Sequence, residues 1–160
     1  MEAEYWYECR QTNDLGFHQP EGNALFAHHF DRLNFLKGSR LLKGRRIFVP
    51  LCGKTRDMAW LLANGFRMVG TELSEIAVRQ FIDGLGVNPT IGASGDLTRY
   101  SAVNLDLFVG DIFALSAAQL GAVDAVYDRA ALVSLPAEMR RRYPPSAKTH
   151  RRRGPTAHQF

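Results

Sequence analysis

Apolar residues along this chain alternate between short unbroken runs and stripes of helical spacing. Ile47-Phe48-Val49 is the kind of run that a strand buried on both faces requires. After the loop Pro50-Leu51-Cys52-Gly53-Lys54-Thr55, the apolar residues Met58, Leu61 and Leu62 fall at helical intervals, and Gly65 stands where a glycine ends a helix. Arg67 to Glu72 reads as a second strand. Ser74 can cap a helix whose apolar face is Val78, Phe81, Ile82 and Leu85 and which Gly86 closes. Residues 86–104 are rich in Gly, Asn, Ser and Thr and read as a surface excursion. Leu105 to Val109 predicts a third strand, Leu115 to Leu120 a short helix and Ala122 to Tyr127 a fourth strand, after which Pro136 suits the first turn of another helix. Ahead of all this, residues 5–20 carry aromatics without clean periodicity, and Leu25, Phe26, His29, Phe30 and Leu33 predict a helix.

Strands alternating with helices at these spacings predict an α/β fold with a parallel, doubly wound sheet. Ligands of such sheets bind beyond the C-terminal ends of the strands. The chemically informative residues fall there: Leu51 to Gly53 after the first strand, Glu72 at the end of the second, Asp111 after the third and Asp128-Arg129 after the fourth. A glycine at the first position lets a ligand approach the backbone, and the helix that follows presents N–H groups to an anion. Glu72 lies 19 residues after Gly53, a spacing that places a carboxylate where dinucleotide sites hold the ribose hydroxyls. Asp111 is placed to meet a base. The chain lacks G-x-G-x-x-G and G-x-x-x-x-G-K-[ST], which argues against a dinucleotide or P-loop reading; a single glycine with a downstream acid occurs in many α/β chains, and the pattern alone leaves both a nucleotide-type cofactor and simple turn chemistry open.

Composition narrows the class without naming a chemistry. With 46% hydrophobic and 22% charged residues, the chain has the make-up of a single globular domain. No apolar run approaches the roughly 20 residues of a membrane helix, and the opening Met1-Glu2-Ala3-Glu4 is neither a secretory signal nor a transit peptide, so a cytoplasmic location is expected. Cys9 and Cys52 make no disulfide framework or metal spacing and are expected to be reduced thiols. The net charge of +4 raises nucleic acid as a partner, but much of the excess sits in Arg140 to Arg142 and Lys148 to Arg153 and reads better as a solvated tail. His28 and His29, about 100° apart on a helix, cannot ligate one metal as an i, i+4 pair does, and no metal is expected. Cys52 beside the loop invites a nucleophile reading, but a small buried thiol explains it with less. Arg129 has a structural alternative in pairing with Asp128 or Glu138, and Trp6, Tyr5, Phe17 and Phe26 have one as core aromatics.

Five strings occur in one order: Leu15-Gly16-Phe17-His18-Gln19-Pro20, Val49-Pro50-Leu51-Cys52-Gly53-Lys54, Gly70-Thr71-Glu72-Leu73-Ser74-Glu75, Gly110-Asp111, and Val126-Tyr127-Asp128-Arg129-Ala130-Ala131-Leu132. Together they resemble the bacterial thiopurine S-methyltransferase family over residues 1 to about 143. The resemblance implies a Rossmann-like sheet of a class I S-adenosylmethionine-dependent methyltransferase, with residues 1–36 as an aromatic arm or lid and helix, and 45–143 as the cofactor-binding βα units. It implies S-adenosylmethionine as cofactor, held by Trp6, Arg10, Leu51, Gly53, Glu72, Leu73, Asp111, Ile112 and Arg129, with Phe17, His18, Gln19 and Pro20 folding over the acceptor. Arg129 faces the substrate side, and no residue is required as a general base. Arg10 departs from the pattern, standing where similar bacterial members carry a second tryptophan, so a long cation replaces a flat apolar contact.

The implied reaction is in-line attack of a small-molecule thiol on a methyl sulfonium, with selenium or tellurium compounds as alternative acceptors. Holding two reactants in register can supply about 7–11 kcal/mol of barrier reduction. An anionic sulfur meeting a cationic sulfonium loses charge on reacting, so a lid that excludes water favours the reaction. After Tyr143 the chain runs Pro-Pro-Ser-Ala-Lys-Thr-His-Arg-Arg-Arg-Gly-Pro-Thr-Ala-His-Gln-Phe, without apolar periodicity and with three prolines. Residues 144–160 are therefore expected to be a disordered tail outside the family pattern, left by a frame change or truncation that removed the C-terminal strands and exposed the fourth strand as an edge. The competing expectations are an inactive remnant and a basic nucleic-acid-binding protein. A folded chain is expected to be monomeric.

Overall fold

A computed structural model describes residues 44–128 and 135–141, which form one mixed sheet flanked on both faces. The elements are β1 (Arg46–Val49), α1 (Arg56–Ala63), β2 (Arg67–Glu72), α2 (Glu75–Leu85), β3 (Thr90–Ser94), β4 (Leu97–Ala102), β5 (Leu105–Val109), a 3-10 turn (Ile112–Ala114), α3 (Ala117–Leu120) and β6 (Ala125–Val126). The expected aromatic arm and first helix, and the 144–160 tail, lie outside the described residues.

Strand order is β3-β4-β5-β2-β1-β6, with β5, β2, β1 and β6 mutually parallel. The central strands are parallel because each is followed by a helix or turn that returns the chain to the opposite end of the sheet. β1 is buried along Ile47, Phe48 and Val49, with neighbours on both sides, which is why its sequence is a solid run. Alternate residues serve opposite faces. Ile47, Met68, Leu105 and Leu107 pack beneath α1 and α2 with Met58, Leu61, Val78, Phe81 and Ile82. Phe48, Val69, Phe108 and Val126 meet Ile112, Leu115, Leu120, Val123 and Leu135 on the other face.

Both major helices start and stop as their sequences dictate. The Thr55 side chain accepts the Asp57 N–H at 3.3 Å, and the Ser74 hydroxyl accepts the Ala77 N–H at 3.3 Å. Gly86 ends α2 in the left-handed region at φ +68°, and Gly65 follows α1 at φ +87°. Between β5 and β6, Ser116 and Gln119 form a reciprocal capping box around the single turn of α3.

Residues 86–104 are not a surface excursion. They form the antiparallel hairpin β3–β4, which joins the sheet through β4 and β5 and makes it mixed instead of purely parallel. The polar composition reflects two tight turns, Gly95-Asp96 and Val103-Asn104, with Gly95 at φ +58° and Asn104 at φ +60°. β4 buries Leu97 against one face and Tyr100 against the other, so it shows no alternation. The fourth strand is also shorter than expected, two residues against the six of Ala122 to Tyr127, and is the sheet's other end among the described residues. Pro136 stands just ahead of the helical turn 137–141, its carbonyl accepting the Arg140 N–H at 2.9 Å.

Candidate functional site

The C-terminal ends of β1, β2 and β5 meet in one place, and the loop after β1 is held there by the last two residues of β2. Leu51 N–H donates to the Thr71 hydroxyl at 3.3 Å, Cys52 N–H to the Thr71 carbonyl at 2.8 Å, and Gly53 N–H to Glu72 Oε2 at 2.7 Å. Three consecutive amides are thus captured. Leu51 adopts φ +47° and Gly53 φ +58°, the turn that aims these amides back at the sheet. A side chain in the left-handed region costs about 1–2 kcal/mol, which the hydrogen bonds and the packing of Leu51 against the Phe48 cluster offset.

The amide protons of Leu51, Cys52 and Gly53 are thus given to β2.

Glu72 is 4% exposed, and its two oxygens bridge the site: Oε2 accepts from Gly53, and Oε1 accepts the Ser74 N–H at 3.0 Å. Its backbone carbonyl accepts the Gly110 N–H at 2.9 Å, which brings the start of the β5 exit loop alongside. Asp111, exposed at that loop, uses Oδ1 to accept the Phe113 N–H at 2.9 Å and so caps the 3-10 turn. Ile112 points into the second face, where Leu51 and Phe113 pack against the same cluster. Leu73 is half-buried between Glu72 and the cap of α2. Leu51, Gly53, Glu72, Leu73, Asp111 and Ile112 therefore share one end of the sheet, a carboxylate floor and an exposed carboxylate beside an apolar wall. Trp6, Arg10, Phe17, His18, Gln19, Pro20 and Arg129 lie outside the described residues.

Sequence reasoning missed several residues here. Thr71 and Asp57 were not singled out, and Tyr127 entered only within a motif string. Asp57, 2% exposed in the first turn of α1, accepts the Tyr127 hydroxyl at 2.8 Å across a separation of 70 residues. Thr71 was legible as the neighbour of Glu72; the Asp57–Tyr127 pair carries no local signal at that range. Cys52 is buried, with its sulfur packed towards Gly70, in keeping with the structural reading of this thiol. Among the described residues no group of three or more His, Cys, Asp or Glu side chains is placed to hold a metal, and no helix is long and apolar enough to cross a membrane.

One charged cluster lies beside the site. The Tyr100 hydroxyl donates to Glu75 Oε1, and Arg79 pairs with the same oxygen at 2.8 Å, clamping the start of α2 to β4. The tyrosine hydrogen bond first, and Arg79 second, hold the Glu75 carboxyl below the usual carboxylate range. Burial, then the Glu75 contact, pushes Tyr100 up. At the opposite end of the sheet, Arg46 reaches Asp106 at 3.5 Å and the Leu120 carbonyl, and burial lowers its guanidinium pKa despite Asp106.

A parallel sheet core extended by an antiparallel hairpin, with a buried acid at the end of the second parallel strand, defines the Rossmann-like α/β class. Solved structures share the fold. One from work on converting a disulfide into a thioacetal in echinomycin biosynthesis superposes with a TM-score of 0.57 at 19% identity, covering 86% of this chain and 50% of that one. A DhpI–SAM–HEP complex gives 0.52 at 14% identity, covering 92% and 57%. A putative RNA methyltransferase from Pyrococcus horikoshii gives 0.57 at 16%, covering 94% and 69%.

Sequence comparison is more specific than fold. The chain belongs to the thiopurine S-methyltransferase family, whose model matches residues 1–152, past the boundary near 143 expected from the motifs. A thiopurine S-methyltransferase of Xanthobacter autotrophicus is 53% identical over 146 residues, 91% of this chain and 66% of the relative. One from Pseudomonas aeruginosa is 46% identical over 143 residues, 89% of this chain and 63% of the relative. The chain thus spans slightly less than two thirds of the length of these curated relatives.

Proposed function

We propose that this chain binds S-adenosylmethionine in the crevice at the ends of β1, β2 and β5 and serves methyl transfer to the sulfur of aromatic or heterocyclic thiols, with selenium and tellurium compounds as further acceptors. The observation that carries this reading is Glu72, buried and oriented by Gly53 and Ser74 at the end of β2, where the family resemblance implies that the cofactor's ribose is held. The donor set suits such a group. A carboxylate is an acceptor with about four lone-pair sites, and vicinal hydroxyls are donors that match it. Leu51, Ile112 and Phe113 provide apolar surface for a flat base, and Asp111 at the rim can accept from an exocyclic amine. The cofactor supplies an electrophilic methyl group on a sulfonium.

The described residues bind and orient, and no general base is assigned among them. An aromatic thiol is acidic enough to react as the thiolate, so catalysis here is alignment and exclusion of water. Family relatives are named as thiopurine S-methyltransferases, and the thiol class of acceptor rests on those names. Arg129 on the substrate side and the lid residues Phe17 to Pro20 belong to the same proposal.

Calorimetric titration with S-adenosylhomocysteine, with circular dichroism to confirm the fold, tests the reading. Saturable binding that disappears in Glu72→Ala is expected, followed by methylation of an aromatic thiol. A folded chain that gives no heat with S-adenosylhomocysteine overturns it.

A further inference from the structure

We infer that Asp57 and Tyr127 form a latch that positions the loop Pro50 to Thr55, and that Tyr127 is a positioning residue for the cofactor crevice; the effect on ligand affinity, though not the latch itself, rests on the functional reading above.

The loop joins β1 to α1, so both of its flanks must be fixed for its conformation to be fixed. β2 fixes one flank by taking the amide protons of Leu51, Cys52 and Gly53. The other flank enters α1, whose first turn holds Asp57 only four residues beyond Gly53. At that helix end the Tyr127 hydroxyl donates to Asp57 Oδ2 at 2.8 Å, a bond that reaches across the sheet from the far side of β1. Tyr127 is itself fixed: its backbone N–H donates to the Phe48 carbonyl at 2.8 Å, continuing the β1–β6 ladder, and its ring is 4% exposed within the cluster under α1 and α2. β1 is therefore flanked by two strands that each send a contact around the loop, β2 to its beginning and the end of β6 to its exit. A carboxyl side chain in the first turn of a helix also sits favourably against the helix dipole.

The pair has a second consequence. Tyr127 is followed directly by Asp128 and Arg129, so anchoring its side chain fixes where the chain leaves β6 towards the residue assigned to the substrate side.

Amide hydrogen exchange of the full chain, resolved by NMR, reads the latch without any ligand. In Tyr127→Phe, exchange at Leu51, Cys52 and Gly53 is expected to rise about tenfold, while Val69 and Phe108 in the central strands keep their parent rates. Unchanged loop rates, or a uniform rise across the sheet, overturn the inference, since the latter is what a merely structural hydroxyl produces. Asp57→Asn, which keeps an oxygen for the Tyr127 hydroxyl, is expected to stay close to the parent, whereas Asp57→Leu repeats Tyr127→Phe; equal behaviour of the two Asp57 variants also overturns it. Titration with S-adenosylhomocysteine then adds the functional arm, with an expected affinity loss of about tenfold in Tyr127→Phe. If the parent itself binds none, the cofactor reading fails and the exchange data alone decide the latch.

Discussion

Replacing Glu72 with glutamine keeps the shape of the side chain and changes one atom. In the parent, separate carboxylate oxygens accept Gly53 N–H at 2.7 Å and Ser74 N–H at 3.0 Å in a site only 4% exposed. Glutamine has one acceptor oxygen, and its NH2 must then face one of the two backbone N–H groups, donor against donor. The loss is one charge-assisted hydrogen bond plus an unsatisfied buried amide, together about 2–3 kcal/mol. For a chain of this length that corresponds to a fall in Tm of roughly 5–10 °C. Thermal and urea unfolding of Glu72→Gln without ligand measures it, and S-adenosylhomocysteine titration is expected to show weakened binding as well. A variant as stable as the parent would refute the claim that the two amides orient Glu72, because the amide side chain would then have fitted without a conflict.

Three further outcomes follow from the packing and the electrostatics. Gly70→Ala places a Cβ 2.9 Å from both Cys52 Sγ and Leu107 Cδ2, so a loss of about 1–3 kcal/mol in chemical denaturation is expected, with part recovered when Cys52→Ala is added. Asn104, at φ +60° in the β4–β5 turn, is expected to tolerate glycine and to lose about 1 kcal/mol as alanine, measured in the same way. The Glu75–Tyr100 bond gives a stability contribution with two pH limits. Glu75 is depressed, so its share is present above the unfolded carboxylate pKa and lost as pH falls through the lower folded value; Tyr100 is raised, so its share is present below the unfolded phenol pKa and lost as pH rises through the higher folded one. The stability gap between the parent and Tyr100→Phe is accordingly expected to be widest near neutrality and to narrow in acid and in strong alkali.

The parallel core was legible because burial on both faces leaves solid apolar runs, and helix caps such as Ser74 and Gly86 write their function into a single residue. The hairpin was not, because β4 buries one large side chain on each face and β3 is exposed along Thr90 to Ala93. The Gly95-Asp96 pair was the available signal, a two-residue turn between two strand-length segments. At the site, Glu72 stood out through its distance from Gly53, and the structure places it against that glycine. The direction of the loop amides was illegible, since every non-proline residue carries the same N–H and only the fold decides where it points. Asp57 and Tyr127 were hidden for another reason: their bond spans 70 residues, a separation that no local pattern reports.

The division of labour between β1's loop and β2 also decides where such a site can be read or rewritten. The loop contributes donors that belong to the backbone, so its letters are constrained mainly where the chain turns through positive φ, at Leu51 and Gly53. The acceptor at Glu72, and one of the two at Thr71, belong to side chains, and those letters cannot be exchanged without changing what the donors meet. A search for related crevices gains more from the strand that receives the loop than from the glycine that marks it.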